Sequence, residues 1–146
     1  MVLTKGSGIA AAELNYARLQ QSFADKAHDT YLIYDEIMDQ LIVRLVDPSL
    51  FVSEYFVSDD FALLVTEDRN VVGYLIVNFR SEYLAKEPKL NALWNENNLA
   101  SHLDEYRKLR YEPDAQKTPQ TIKRAEQRIV EYAAFNVRQI ATLAWA

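Results

Sequence analysis

The sequence predicts an α+β domain that is predominantly helical, with five or six helices and one β-hairpin near residues 61–77; an all-α domain is the alternative. Three observations lead there. Apolar residues recur every three or four positions from Tyr31 to Leu45 and again from Ile122 to the end of the chain, the spacing of one helix face. Glycine and proline number only three and four in 146 residues, few for a fold made of many tight turns. Two short runs, Phe61–Thr66 and Val71–Val77, are rich in β-branched residues and flank the polar tetrad Glu67-Asp68-Arg69-Asn70, which suits a hairpin.

Taken in order, residues 1–8 form a flexible leader ending in Gly6-Ser7-Gly8, and residues 9–146 form a single helical domain. A modest apolar stripe begins at Ile9 and passes through Leu14, Leu19 and Phe23. Asp29 or Thr30 then caps a second helix with Tyr31, Tyr34, Met38, Leu41 and Leu45 on its inner face, ended by Asp47-Pro48. Asp47 opens a short helix through Phe51 and Tyr55, with Pro48 in its first turn. Beyond the hairpin, Pro88 starts a turn of helix carrying Leu90, Leu93 and Trp94. Asn97 or Asn98 caps the next, carrying Leu99, Leu103 and Tyr106. Thr118-Pro119 opens the last helix, about 26 residues long and apolar to Trp145.

Composition narrows the function classes. The chain has no cysteine, which removes disulfides, thiolate nucleophiles and thiolate metal sites together. No apolar stretch reaches the ~18 residues of a membrane span, and the start lacks a signal-peptide core, so a cytoplasmic location is expected. The net charge of −5 is uneven. Residues 29–68 hold ten acids and one base, residues 1–28 two acids and three bases, and residues 69–146 nine acids and twelve bases. These give −9, +1 and +3. That distribution argues against nucleic-acid binding, which wants a clustered positive surface, and the bases around Arg107 and Arg110 are interleaved with Asp104, Glu105 and Glu112.

No chemistry-bearing loop stands out. A nucleophile elbow, a phosphate loop and a dinucleotide loop each need glycines that the chain lacks after Gly73. Asp35, Glu36 and Asp39 share a helical face at spacings of three and four. Metal ligation or acid–base work is one reading of them and a solvated face the other, since helical dinuclear sites add a Glu-x-x-His pattern that is missing here. His28-Asp29 lacks the preceding histidine that a metal-dependent phosphohydrolase would require. No cofactor and no metal are expected.

Phe61–Val77, with its Glu-Asp-Arg-Asn turn and Val72-Gly73-Tyr74, resembles the central hairpin of coenzyme A-dependent N-acetyltransferases, with the helices over 31–46 and 48–56 standing for the first two of that fold. The resemblance covers about a third of the chain. It implies a glycine-rich pyrophosphate turn at a following helix N-terminus, where this chain has Ser81-Glu82-Tyr83-Leu84-Ala85-Lys86-Glu87-Pro88 instead, so no acetyl-CoA residue carries over. A degenerate small-molecule transferase is therefore the second expectation. The first is a non-enzymatic protein-interaction module, such as an assembly subunit, an immunity-type inhibitor or a chaperone-like adaptor. It would bind a protein partner or a second copy of itself through an acidic face of Asp35, Glu36, Asp39, Asp59 and Asp60 and an apolar contact through Leu143 and Trp145.

Overall fold

A computed structural model describes residues 2–3, 14–19, 30–104, 107–108 and 120–145, with side chains over 14–19, 30–104 and 121–134. The architecture overturns the helical expectation. Five strands form an antiparallel sheet: β2 (Tyr31–Asp35), β3 (Gln40–Arg44), β4 (Ser53–Ser58), β5 (Phe61–Val65) and β6 (Val71–Val77). Two-residue strands, β1 (Val2–Leu3) and β7 (Arg107–Lys108), extend its two edges, giving the order β1-β4-β5-β6-β3-β2-β7. Among the described residues the helices that follow β6 are a π-turn (Phe79–Tyr83), a 3-10 turn (Leu84–Lys86), α1 (Pro88–Glu96), the single turn α2 (Leu99–His102) and α3 (Gln120–Trp145). The chain is neither predominantly helical nor all-α.

The main correction lies at residues 31–46. The expected second helix is the β2–β3 hairpin, with Tyr31 opposite Arg44 and Asp35 opposite Gln40. Leu32 and Tyr34 before the turn, and Leu41, Val43 and Leu45 after it, are the buried apolar residues, with the Arg44 side chain buried beside them. That is alternation with a period of two on each side of a four-residue link. Placed end to end across the link, the two alternating runs imitate a helical stripe. Met38, assigned to the inner face by that stripe, is 58% exposed and its neighbour Ile37 95%. The short helix expected after Pro48 is also absent. Asp47 does accept a hydrogen bond from the Ser49 N–H at 2.8 Å, but only one turn forms before the chain extends into β4.

The hairpin expected at 61–77 is present as β5 and β6, lying mid-sheet and not as an isolated pair among helices. Its strands are buried on both faces, which explains their unbroken apolar runs. The register shifts between Leu64 and Val65, so that Leu64 faces Gly73 while Val65 faces Val71. This is a bulge on β6 at Val72.

On one face of the sheet Leu32, Tyr34, Leu41, Val43, Phe61, Leu63, Tyr74 and Ile76 meet Leu84, Leu90, Trp94 and the inner stripe of α3. That stripe is Ile122, Ala125, Ile129 and Ala133, at the spacing read from the sequence. On the other face Ala62, Leu64 and Leu75 form a smaller cluster. The helix expected to run through Leu103 and Tyr106 stops after one turn. The Leu103 carbonyl instead accepts from the Tyr34 N–H at 2.9 Å, and β7 pairs with Tyr31 and Leu32. That segment is thus used to cover the β2 edge. The expected leader and first helix lie largely outside the described residues, although Leu14, Tyr16 and Leu19 are buried in the main core. Among the described residues no helix is long and apolar enough to cross a membrane.

Candidate functional site

Because neighbours in the five-stranded sheet are antiparallel, β2, β4 and β6 finish at the end where β3 and β5 begin. The β2–β3 turn (36–39), the β4–β5 turn (59–60) and the exit of β6 therefore share one rim. Hydrogen bonds tie them together: the Val77 N–H donates to the Asp60 carbonyl at 2.9 Å and the Phe79 N–H to the Asp39 carbonyl at 3.0 Å. Adjacent strands are about 4.8 Å apart and β6 lies between the two acidic turns, so the turns stand roughly 10–15 Å from each other along this rim. Asp35, Glu36, Asp39, Asp59 and Asp60 are thus brought to one end of the molecule, by turns and not by the helix face expected for the first three.

These carboxylates do different jobs. Asp35 Oδ1 accepts from the Met38 N–H at 3.0 Å and shapes its own turn. Asp60 Oδ1 accepts from the Ser58 hydroxyl at 3.0 Å. Glu36, Asp59 and Asp60 are exposed. Asp39 is committed to the fold. Its backbone is left-handed, with φ 53°, and its side chain reaches the segment after β6. There Arg80 N–H donates to Oδ1 at 2.8 Å, and Ser81 donates to Oδ2 from its N–H at 3.1 Å and its hydroxyl at 2.8 Å. With the Phe79 N–H on its carbonyl, Asp39 receives three consecutive N–H groups of the π-turn Phe79–Tyr83. These groups lack partners within the turn, and a carboxylate serves them well.

The Tyr34 hydroxyl completes the set, donating to Asp39 Oδ1 at 2.7 Å. Burial pushes the Asp39 carboxyl up, but the hydrogen bonds from Arg80, Tyr34 and Ser81 outweigh it and hold its pKa below the ordinary carboxylate value. Burial, reinforced by the hydrogen bond to Asp39, holds the Tyr34 phenol protonated well above its ordinary range. Tyr34→Phe removes the hydroxyl and keeps the ring. It is expected to cost about 1.5–3 kcal/mol, the range for a hydrogen bond to a charged acceptor, measured as a lower denaturant midpoint at an unchanged slope.

Beneath the rim an aromatic cluster fixes these parts. Trp94 on α1 meets Tyr34 edge-on at 4.9 Å and Phe79 at 5.1 Å between ring centroids, and Tyr83 stacks on Phe79 at 5.3 Å. Next to the cluster is a cavity of about 140 Å³ bordered by Glu36, Arg80, Trp94, Asn98 and Ser101. A larger cleft of about 650 Å³ opens at the opposite end of the sheet, between Phe51 and the Glu67–Asn70 turn. Arg18 on its wall already donates to the Leu45 carbonyl at 2.6 Å. Asp35, Glu36, Asp39, Asp59 and Asp60 do not line that cleft. Among the described residues no three His, Asp or Glu side chains converge as a metal site.

Leu143 and Trp145 lie in the last turns of α3, and their side chains are outside the described residues. Sequence reasoning missed Tyr34, Arg80 and Trp94 as parts of this rim. Tyr34 stands 46 and 60 residues before Arg80 and Trp94, a separation that no local spacing reveals. The likeness to an N-acetyltransferase hairpin loses its setting, since both segments expected as the preceding helices contain strands and β6 leads into the π-turn.

Fold and rim together define an α+β domain on an antiparallel sheet, with one acidic, turn-built end. No protein-family model matches the chain, and no curated protein and no solved structure match it either.

Proposed function

We propose that the chain is a non-enzymatic protein-interaction module whose acidic rim meets a basic protein partner. The observation that carries this reading is the tip of the β2–β3 turn. Turns favour small and polar residues, yet this one presents Ile37 at 95% and Met38 at 58% exposure. Glu36 adjoins them, and Asp59 and Asp60 stand on the same rim. An apolar tip set among carboxylates matches the anatomy of a binding patch, in which apolar anchors supply affinity and the charged border supplies rate and partner choice. The acidic residues need not approach as one helical stripe, because the rim already gathers them. Leu143 and Trp145 on α3 remain the second proposed contact.

The test uses the wild-type chain and two variants as parallel baits in affinity purification from the native host. Ile37→Asp is expected to abolish capture of a basic partner, and Asp59→Lys with Asp60→Lys to reduce it at least tenfold and flatten its dependence on ionic strength. Thermal stability should stay within about 0.5 kcal/mol for Ile37→Asp, the usual limit for a surface change. Equal capture by all three baits would overturn the reading.

A further inference from the structure

We propose that Asp39 positions the binding tip: it holds Ile37 and Met38 as a preformed plug for a concave apolar pocket, bordered by cations, on a folded protein partner. This rests on the reading of the rim as a protein-binding surface. It adds the shape of the partner and the residue that sets the geometry. The shape follows from exposure. Ile37 is 95% exposed, so almost none of its surface rests on its own domain, and Met38 beside it is 58% exposed. A flat surface covers only one side of a side chain that stands free. Removing the whole side chain from water, where its affinity lies, takes a pocket that closes around it.

The border of the pocket follows from charge. Glu36, Asp59 and Asp60 are exposed on the rim and Glu82 on the π-turn, with the exposed Arg80 set against these four carboxylates. A surface that closes over the tip therefore meets an excess of negative charge, and cations around its pocket match it.

The preformation follows from Asp39. The tip, residues 36–39, springs from the paired Asp35 and Gln40. Inside it the Met38 N–H donates to Asp35 Oδ1 at 3.0 Å. At its far end Asp39 is fastened to the body of the domain. Its carbonyl accepts from the Phe79 N–H, and its carboxylate from Arg80 and Ser81. The Tyr34 hydroxyl ties Oδ1 back to β2. Phe79 is itself seated against Tyr34, Tyr83 and Trp94. These bonds leave the side chains of Ile37 and Met38 free and fix the backbone from which both project. A tip ordered beforehand gives up little freedom on binding, whereas a loose one gives up that of every residue it contains. Asp39 thus acts on binding through Ile37 and Met38, its own oxygens being engaged by the π-turn and Tyr34.

Two measurements on the full chain test this. In ¹⁵N relaxation the Ile37 and Met38 amides of the wild type are expected to show order parameters of about 0.85, as in rigid backbone, falling below about 0.6 in Asp39→Gly. Wild-type values already below about 0.6 would overturn the proposal. In parallel, immobilised variants are exposed to native-host lysate at a temperature where circular dichroism shows each one folded, and the retained basic protein is quantified. Asp39→Gly is expected to retain at least about tenfold less than wild type. Asp39→Asn, which keeps an acceptor without the freedom of glycine, should fall between them. Gly73→Ala, strained where β6 meets β3 at the other end of the strand, should retain as much as wild type. An equal loss in Gly73→Ala would reduce Asp39 to a stability role and overturn the proposal. If Ile37→Asp loses the partner while Asp39→Gly keeps it, the positioning role falls and the protein-binding reading stands. If Ile37→Asp keeps it, both fall. A concentration-dependent mass of the isolated chain, abolished by Ile37→Asp, would seat the tip in a second copy of this acidic chain and also overturn the proposal.

Discussion

Gly73→Ala is expected to destabilise the domain by about 3 kcal/mol, at the upper end of the range for forcing a methyl group into a packed interior. A Cβ at Gly73 would press into the Val43 carbonyl oxygen of the neighbouring strand. It would also stand 3.1 Å from both the Arg44 Cα and the Leu64 Cδ1. The first two are backbone atoms and cannot rotate away. The bulge at Val72 lies beside Gly73 in the pairing with β5, while Gly73 itself pairs with Arg44 of β3 in regular register, and glycine in a strand interior marks such sites of close backbone approach. Recovery would require β3 and β6 to separate, at the pairing that joins the β2–β3 hairpin to the β4–β5–β6 meander. For a chain of this size the loss corresponds to a fall of about 10 °C in Tm, read by calorimetry or circular dichroism. A Tm within 2 °C of the wild type would show that the strands yield there at little cost.

Gly73 was readable from the sequence as part of a hairpin, but the constraint on it was not. The constraint comes from β3, which sequence spacing had assigned to a helix. That misassignment is instructive because both periods were present in residues 31–45. Tyr34, Leu41 and Leu45 satisfy three-to-four spacing, and together with Leu32 and Val43 they also alternate with a period of two on each side of the 36–39 turn. The β-branched Ile33, Ile42 and Val43 favour a strand. So does the polar bracket Asp35…Asp39, with Asp35 accepting the Met38 N–H as turn-forming aspartates do. The helix α3 was legible because nothing competes with its period: one apolar stripe repeats through Ile122, Ala125, Ile129 and Ala133.

The rim was legible only as a charge imbalance. Composition placed a net −9 in residues 29–68, and the sheet turns part of that into geometry by ending three strands and starting two at one edge. What composition could not separate is the exposed Glu36, Asp59 and Asp60 from Asp39, whose oxygens belong to the π-turn. That distinction needs the partners Arg80 and Ser81, 41 and 42 residues further along the chain.

Three substitutions at Asp39 resolve its two roles. Asp39→Ala removes the side-chain acceptor for Tyr34, Arg80 and Ser81 and also puts alanine, which tolerates the left-handed region less well than aspartate, at a φ of 53°. A lost cap costs about 1–2 kcal/mol and the left-handed backbone about 1 kcal/mol more, so a total of about 3 kcal/mol is expected. Asp39→Gly tolerates the backbone and loses only the acceptor, and should recover about 1 kcal/mol of that. Asp39→Asn tolerates the backbone and retains one acceptor oxygen, and should be the mildest of the three. The pH dependence supplies a separate signature. Because the folded-state pKa of Asp39 lies below its ordinary value, its contribution is fully present above the unfolded-state pKa of about 4. It is lost as pH falls from there through the folded-state pKa. Wild type should therefore lose stability against Asp39→Asn below about pH 4, the two denaturation midpoints converging as the carboxyl protonates. A gap that stayed constant down to pH 2 would mean that the charge of Asp39 contributes nothing to holding the π-turn. Arg80 would then owe its place to the aromatic packing of Phe79 and Trp94 alone.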